Sequence, residues 1–157
     1  MYLTVLTLHS WLRWAALLLA VAATFNAWRS APVPTDAPLP GRWWDTALML
    51  AVDLQMLVGL LLYFGLSPVT SLAIEHIGAA VRQPLLRYWA IEHAGGMLLV
   101  LVLVRVGRIG AMNASTPEAA RRRRLFGFAA ALALMLVAMP WPGLSHGRPW
   151  FRWPTTR

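Results

Sequence analysis

The chain has no cysteine and no lysine, and only six acidic side chains among its 157 residues. Without cysteine there is no disulfide scaffold, no iron–sulfur cluster and no thiolate zinc site. Charged residues make up 13%, about half of the roughly 25% usual in a soluble domain. Against that scarcity, 59% of residues are hydrophobic and the mean hydropathy is +0.57. This balance excludes intrinsic disorder and argues against a water-soluble globule. All fourteen basic residues are arginines, and they give a net charge of +8. Whether that charge addresses nucleic acid or a membrane depends on where it sits.

Four apolar stretches, about 3–28, 44–64, 88–106 and 125–141, are rich in Leu, Ala, Val and Met and have no proline in their interiors. Each approaches or exceeds the roughly 20 helical residues that a bilayer core requires. Trp28, Trp43, Trp44, Trp89 and Trp141 stand at their ends, where amphipathic rings prefer the headgroup level. Trp150 and Trp153 belong to a Pro-containing tail expected to rest on the interface. The first stretch has no positive segment before it and is interrupted by Arg13, so it reads as a retained helix and not a cleaved signal peptide. The expectation is one all-α integral membrane domain over 1–157, a four-transmembrane-helix up-down bundle.

Eight arginines (Arg29, Arg42, Arg105, Arg108 and the run Arg121 to Arg124) fall on the first and third connections. The positive-inside rule then places those loops in the cytoplasm and both termini in the periplasm of a bacterial inner membrane. The run reads as a juxtamembrane determinant touching anionic lipid, so the partner is the bilayer and not nucleic acid. The connection 29–42 reads as an extended Pro/Ala linker. Between the second and third stretches, Leu72, Ile74, Ile77 and Val81 alternate with Glu75, His76 and Arg82, which predicts a short amphipathic helix on the outer surface.

Among the polar side chains within the spans, six stand out: His9, Arg13, Asp53, Gln55, Glu92 and His93. Each needs a reason to be in hydrocarbon. His9 and His93 lie at matching depths, roughly 8–9 Å inside the outer ends of helices that run in the same direction. In an up-down bundle those helices are diagonal neighbours, so the two imidazoles are placed as a bis-histidine haem iron requires. Gly95 and Gly96 leave room for a flat macrocycle. Arg13, one turn from His9, and Arg87 are candidates to neutralise its propionates. Each feature also has a plain structural reading, since a histidine near the surface can bond across helices or snorkel, and Gly-Gly can serve helix packing. His76 and His146 read as solvated surface residues. Asp53 and Gln55 point about 200° apart, so one faces the core and the other a neighbouring helix or subunit. Asp53 can relay protons, bind a quinol hydroxyl or act as neutral hydrogen-bonded glue, and the last is favoured because a single carboxyl makes no relay.

The segments Leu8-His9-Ser10-Trp11-Leu12-Arg13-Trp14, Asp53 to Phe64, Glu92-His93-Ala94-Gly95-Gly96-Met97 and Pro140-Trp141-Pro142 resemble those of small four-helix bacterial membrane proteins labelled cytochrome b-like. The resemblance covers most of the chain. It implies His9 and His93 as axial ligands of a haem, which without cysteine is a non-covalent haem b. The expected function is a b-type cytochrome-like subunit with no catalytic domain of its own. It would pass electrons between a quinol or periplasmic carrier and other subunits of a membrane complex. The other reading is a cofactor-free accessory subunit of a respiratory or photosynthetic complex, in which His9 and His93 bond to neighbours.

Overall fold

A computed structural model describes residues 1–29 and 42–153, and every regular element among them is helical. The expected linker 30–41 and the final residues 154–157 lie outside the described residues. Helix α1 spans Tyr2–Arg29 and α2 spans Arg42–Leu61, continuing as a π-helical turn over Leu62–Leu66. Three short helices follow: α3 Pro68–Glu75, α4 Ile77–Ala80 and α5 Pro84–Arg87. A second π turn, Tyr88–Glu92, leads into α6 His93–Met112, and α7 covers Pro117–Ala138.

The four long helices close a ring of contacts in which α1 packs on α2 and α7, and α6 packs on α7 and α2. Helices α1 and α6 are therefore diagonal. The inward stripe of α1 is Ala16, Ala20, Ala23 and Ala27, spaced by fours and threes so that all lie on one face. Small side chains let the neighbouring backbones approach closely. Leu48 and Val52 of α2, Val100 and Val104 of α6, and Phe128, Ala131 and Met135 of α7 complete this core. Helices α6 and α7 touch at Gly107 and Gly127, where a Cβ on Gly127 would stand 2.5 Å from the Gly107 Cα. Outward positions of the same helices are also apolar, among them Leu18, Phe25, Leu50, Leu57, Val102 and Val106. Helices that are apolar on every side belong in lipid.

Three segments are long and apolar enough to cross a membrane: Tyr2–Arg29, Trp43–Leu66 and Pro84–Met112. The third is longer than the expected 88–106, and it carries Arg105 and Arg108 inside the helix instead of in a loop. Helix α7 differs from expectation in the same way. The run Arg121 to Arg124 sits inside it, leaving the apolar stretch Leu125–Ala138, about 21 Å at 1.5 Å per residue. These arginines have structural partners. Arg124 is buried in a bidentate pair with Asp45, both bonds 2.8 Å, and also reaches Asn26 at 3.2 Å. Arg121 donates to the Trp28 carbonyl at 2.7 Å and Arg123 to the Gly110 carbonyl at 2.7 Å, satisfying acceptors at the C-terminal ends of α1 and α6.

At the opposite end, the expected single amphipathic helix is two short ones, α3 and α4, joined at His76. Leu72, Ile74, Ile77 and Val81 are all exposed. The residues turned inward are Ala73 and Ala80, packed with Leu86 and Ala90. The large apolar face of this segment therefore looks away from the bundle.

Candidate functional site

The two π turns lie at the same end of the bundle as His9 and His93. A π turn shifts the bonding from i−4 to i−5 and leaves backbone groups to be satisfied from elsewhere. Tyr63, in the first π turn, donates its hydroxyl to the Ala90 carbonyl in the second at 2.9 Å. The Thr70 hydroxyl donates to the Tyr63 carbonyl at 2.7 Å. This chain of bonds couples the end of α2, the start of α3 and the residues just before His93.

His93 opens α6, and its Nδ1 lies 2.9 Å from the Ala138 carbonyl at the end of α7. A carbonyl only accepts, so Nδ1 carries the proton and Nε2 keeps its lone pair. That tautomer, set by a backbone acceptor, is the one metal-ligating histidines show. The Tyr88 hydroxyl donates to the same carbonyl at 2.8 Å. His9 faces His93 from α1, with ring centroids 6.5 Å apart and planes at 73°. Two imidazoles sharing one metal have centroids about 6.2 Å apart, from two bonds of about 2 Å and two nitrogen-to-centroid distances of about 1.1 Å. Rotation about that shared axis leaves the interplanar angle free.

Gln55 points inward from α2, with its amide nitrogen 3.1 Å from the His9 carbonyl and 3.2 Å from His9 Nε2. Asp53 points the other way and pairs with Arg105 at 2.6 Å. It is an ion-pair member, where the sequence suggested neutral glue, because the longer third helix brings a guanidinium to its level. Gly59 makes room for His9, since a Cβ there would press on the ring carbon Cε1 at 3.2 Å. Gly96 lies against α7, 3.0 Å from Ala138 Cβ, while a Cβ on Gly95 would meet nothing within 4 Å.

Between these residues is a cavity of about 460 Å³, within the range of small-molecule and cofactor sites. His9, His93, Gln55, Gly59 and Gly95 line it, and most of its wall is apolar, including Leu17, Val52, Met97, Leu101, Met135 and Met139. Among the described residues seven buried side-chain polar atoms lack a hydrogen-bond partner. Four of them, His9 Nδ1, Gln55 Oε1, Arg13 Nε and Arg148 Nε, belong to residues of this cavity. Buried polar groups left unsatisfied are rare and call for an explanation.

The cations at the cavity differ from those expected. Arg13 lines it, whereas Arg87 is bound by Glu92 at 2.7 Å on the exposed surface and is not among the lining residues. Arg148 and Arg152 take part instead. They arrive because the tail folds back over α1: Trp11 donates to the Arg152 carbonyl at 2.9 Å, Trp14 to the Trp150 carbonyl at 2.8 Å, and Arg13 to the same carbonyl at 3.1 Å. Trp14 stacks on Trp150, Trp11 on Phe151, and Arg148 lies over the Trp89 ring at 4.7 Å. Gly143 makes the turn into the tail with φ +93°, a region glycine enters without steric cost. His146 stacks on Tyr88 at 3.5 Å between centroids and is not free in solvent. His76 is exposed at the α3–α4 junction. Tail arginines beside paired tryptophans were visible in the sequence, but nothing local indicated the fold-back.

No group of three or more His, Asp or Glu side chains placed to hold a metal ion occurs among the described residues. The donor set of a zinc or carboxylate-bridged metal site is thus not assembled there, while a porphyrin iron needs only two protein ligands. Among the described residues the molecule is all-helical, with three helices fit to span a bilayer and an apolar cavity framed by two histidines. Comparison with protein-family models, curated proteins and solved structures gives no match, so the site is argued from its own chemistry.

Proposed function

We propose that this chain is a b-type cytochrome-like membrane subunit that holds one non-covalent haem near the outer face and passes electrons within a larger membrane complex. The observation carrying the proposal is the 6.5 Å separation of the His9 and His93 rings across an apolar cavity. Bound there, the haem would supply one-electron oxidation and reduction. Ala138 holds the His93 ring by its Nδ1 proton, the Gln55 amide holds α1 at the His9 carbonyl, and Gly59 leaves room for the His9 ring. Arg13, Arg148 and Arg152 offer cations to the two carboxylates of the group, and the apolar walls exclude water. Four spans, with α7 as the fourth, and periplasmic termini complete the proposal. It is supported by the collection of Arg29, Arg108 and Arg121 to Arg124 at the end of the bundle away from the cavity. A quinol or a periplasmic carrier is then the electron partner closest to the site.

A second reading, a cofactor-free accessory subunit, draws on the Gln55 amide, which already occupies His9 Nε2 at 3.2 Å. The reduced-minus-oxidised spectrum of the purified protein separates the two. The proposal expects a haem b difference spectrum that disappears in His9→Ala and in His93→Ala while helical circular dichroism is retained. A folded protein with no such spectrum after haem reconstitution would exclude the cytochrome reading.

A further inference from the structure

The ion pair of Asp53 and Arg105 stands apart from the cavity, on the outward face shared by α2 and α6. Its side chains remain 32% and 35% exposed at a separation of 2.6 Å. Asp53 lies eleven residues from the start of α2 and Arg105 seven from the end of α6, about 16 and 10 Å along the helices. On the reading that these helices cross a bilayer, both groups sit within hydrocarbon. The surrounding positions are bare and apolar: Leu50, Leu54 and Leu57 on α2, and Val102, Val106 and Ile109 on α6. Leucines facing lipid need no cover, but ionised groups there do. Arg105 Nη2 makes the internal bond, while Nη1 is buried and has no hydrogen-bond partner, so the pair leaves part of the guanidinium's donor capacity unused.

We infer that a second copy of this chain covers this face, related by a two-fold axis normal to the membrane. Charge complementarity and depth both favour this occupant. A patch holding one cation and one anion is complementary to itself, since a two-fold turn sets each Arg105 against the other copy's Asp53. Because all copies insert in one orientation, that axis also brings the pairs to the same level. The four groups then form an alternating ring through the exposed parts of each pair. A cationic partner would be repelled by Arg105 and an anionic one by Asp53.

Because the chain has no cysteine, each introduced cysteine is its only thiol. Full-length Val102→Cys in native membranes, treated with copper phenanthroline, is expected to give a covalent species of twice the 17.4 kDa chain mass. Val21→Cys, on the outward face of α1, is expected to give none. Adding Arg105→Gln or Asp53→Asn should lower the dimer yield about three- to thirty-fold, the range of interhelical polar contacts in membranes. The exchange Asp53→Arg with Arg105→Asp should restore it, which separates pairing from misfolding. Failure of Leu57→Cys, Val102→Cys and Val106→Cys alike to cross-link would overturn the inference. So would a yield indifferent to Arg105→Gln, or a cross-link only to a chain of different mass.

Discussion

The buried pair of Arg124 and Asp45 offers the sharpest energetic test of the scaffold. Its side chains are 2% and 3% exposed, and two parallel bonds of 2.8 Å join a guanidinium on α7 to a carboxylate on α2. Asp45→Asn keeps the shape of the carboxylate and removes its charge, leaving Arg124 ionised in a dry site. Breaking one member of a buried pair costs about 3–5 kcal/mol. In a chain of 150–250 residues each kcal/mol moves Tm by about 2–4 °C, so the midpoint should fall by about 6–20 °C. The double substitution Asp45→Leu with Arg124→Met removes both charges at similar volume and should recover most of the loss, because desolvation of the pair offsets much of its attraction. Thermal melts by circular dichroism in one detergent, run as a double-mutant cycle, measure both. A fall of less than about 2 °C in Asp45→Asn, or a double variant no better than the worse single one, would refute the buried-charge argument.

Two further predictions concern packing. At Gly127 an added Cβ meets the backbone of Gly107, so Gly127→Ala must part α6 from α7 at a cost of about 1–3 kcal/mol. Gly95→Ala meets nothing within 4 Å and should leave Tm unchanged or raise it, by up to about 1 kcal/mol of helix propensity; equal effects at the two glycines would contradict the packing assigned to them. Trp14→Ala removes both a stacking partner and an indole donor from the tail. Trypsin should then cut after Arg152 about ten-fold faster, the equivalent of about 1.4 kcal/mol, and an unchanged rate would mean that the tail is held elsewhere.

What the sequence made legible follows from the range of the forces involved. Hydropathy and tryptophan placement are local signals, and they located the three spanning helices to within a few residues at most ends. Read alone, Arg105 and Arg108 both look like loop residues, although Arg105 already falls within the expected stretch 88–106. Their partners, Asp53 and the Met49 sulfur at 3.0 Å, are about fifty positions away in the chain. The arginine run was read as a surface determinant for the same reason, since burial of Arg124 depends on Asp45 arriving from another helix. In the cavity, His9 and His93 were found through depth, which is arithmetic on one helix at a time. The inward turn of Gln55 was one of two choices allowed by its angle to Asp53. Arg148 and Arg152 were missed as cavity residues because their place depends on where the tail docks, which no periodicity encodes.

The two ends of the bundle are built differently, and the difference bears on how the site is tested. At the arginine-rich end the alanine stripe, the Gly107–Gly127 contact and the buried ion pair draw four helices together with little free volume. At the other end α2 and α6 each carry a π turn, the helices present glycines to the interior, and the cavity lies between them. The closed end, together with the Tyr63–Ala90 and His93–Ala138 bonds in the cavity wall, sets the spacing of the helices around the cavity. The distance between the imidazoles is therefore a property of the scaffold, in the manner of a preorganised site. Neither histidine belongs to the main packed core; His9→Ala would enlarge an existing space, and His93→Ala would also give up the bond to the Ala138 carbonyl, which Tyr88 still satisfies. Such variants should fold, so loss of a haem spectrum in them would report on ligation and not on collapse of the bundle.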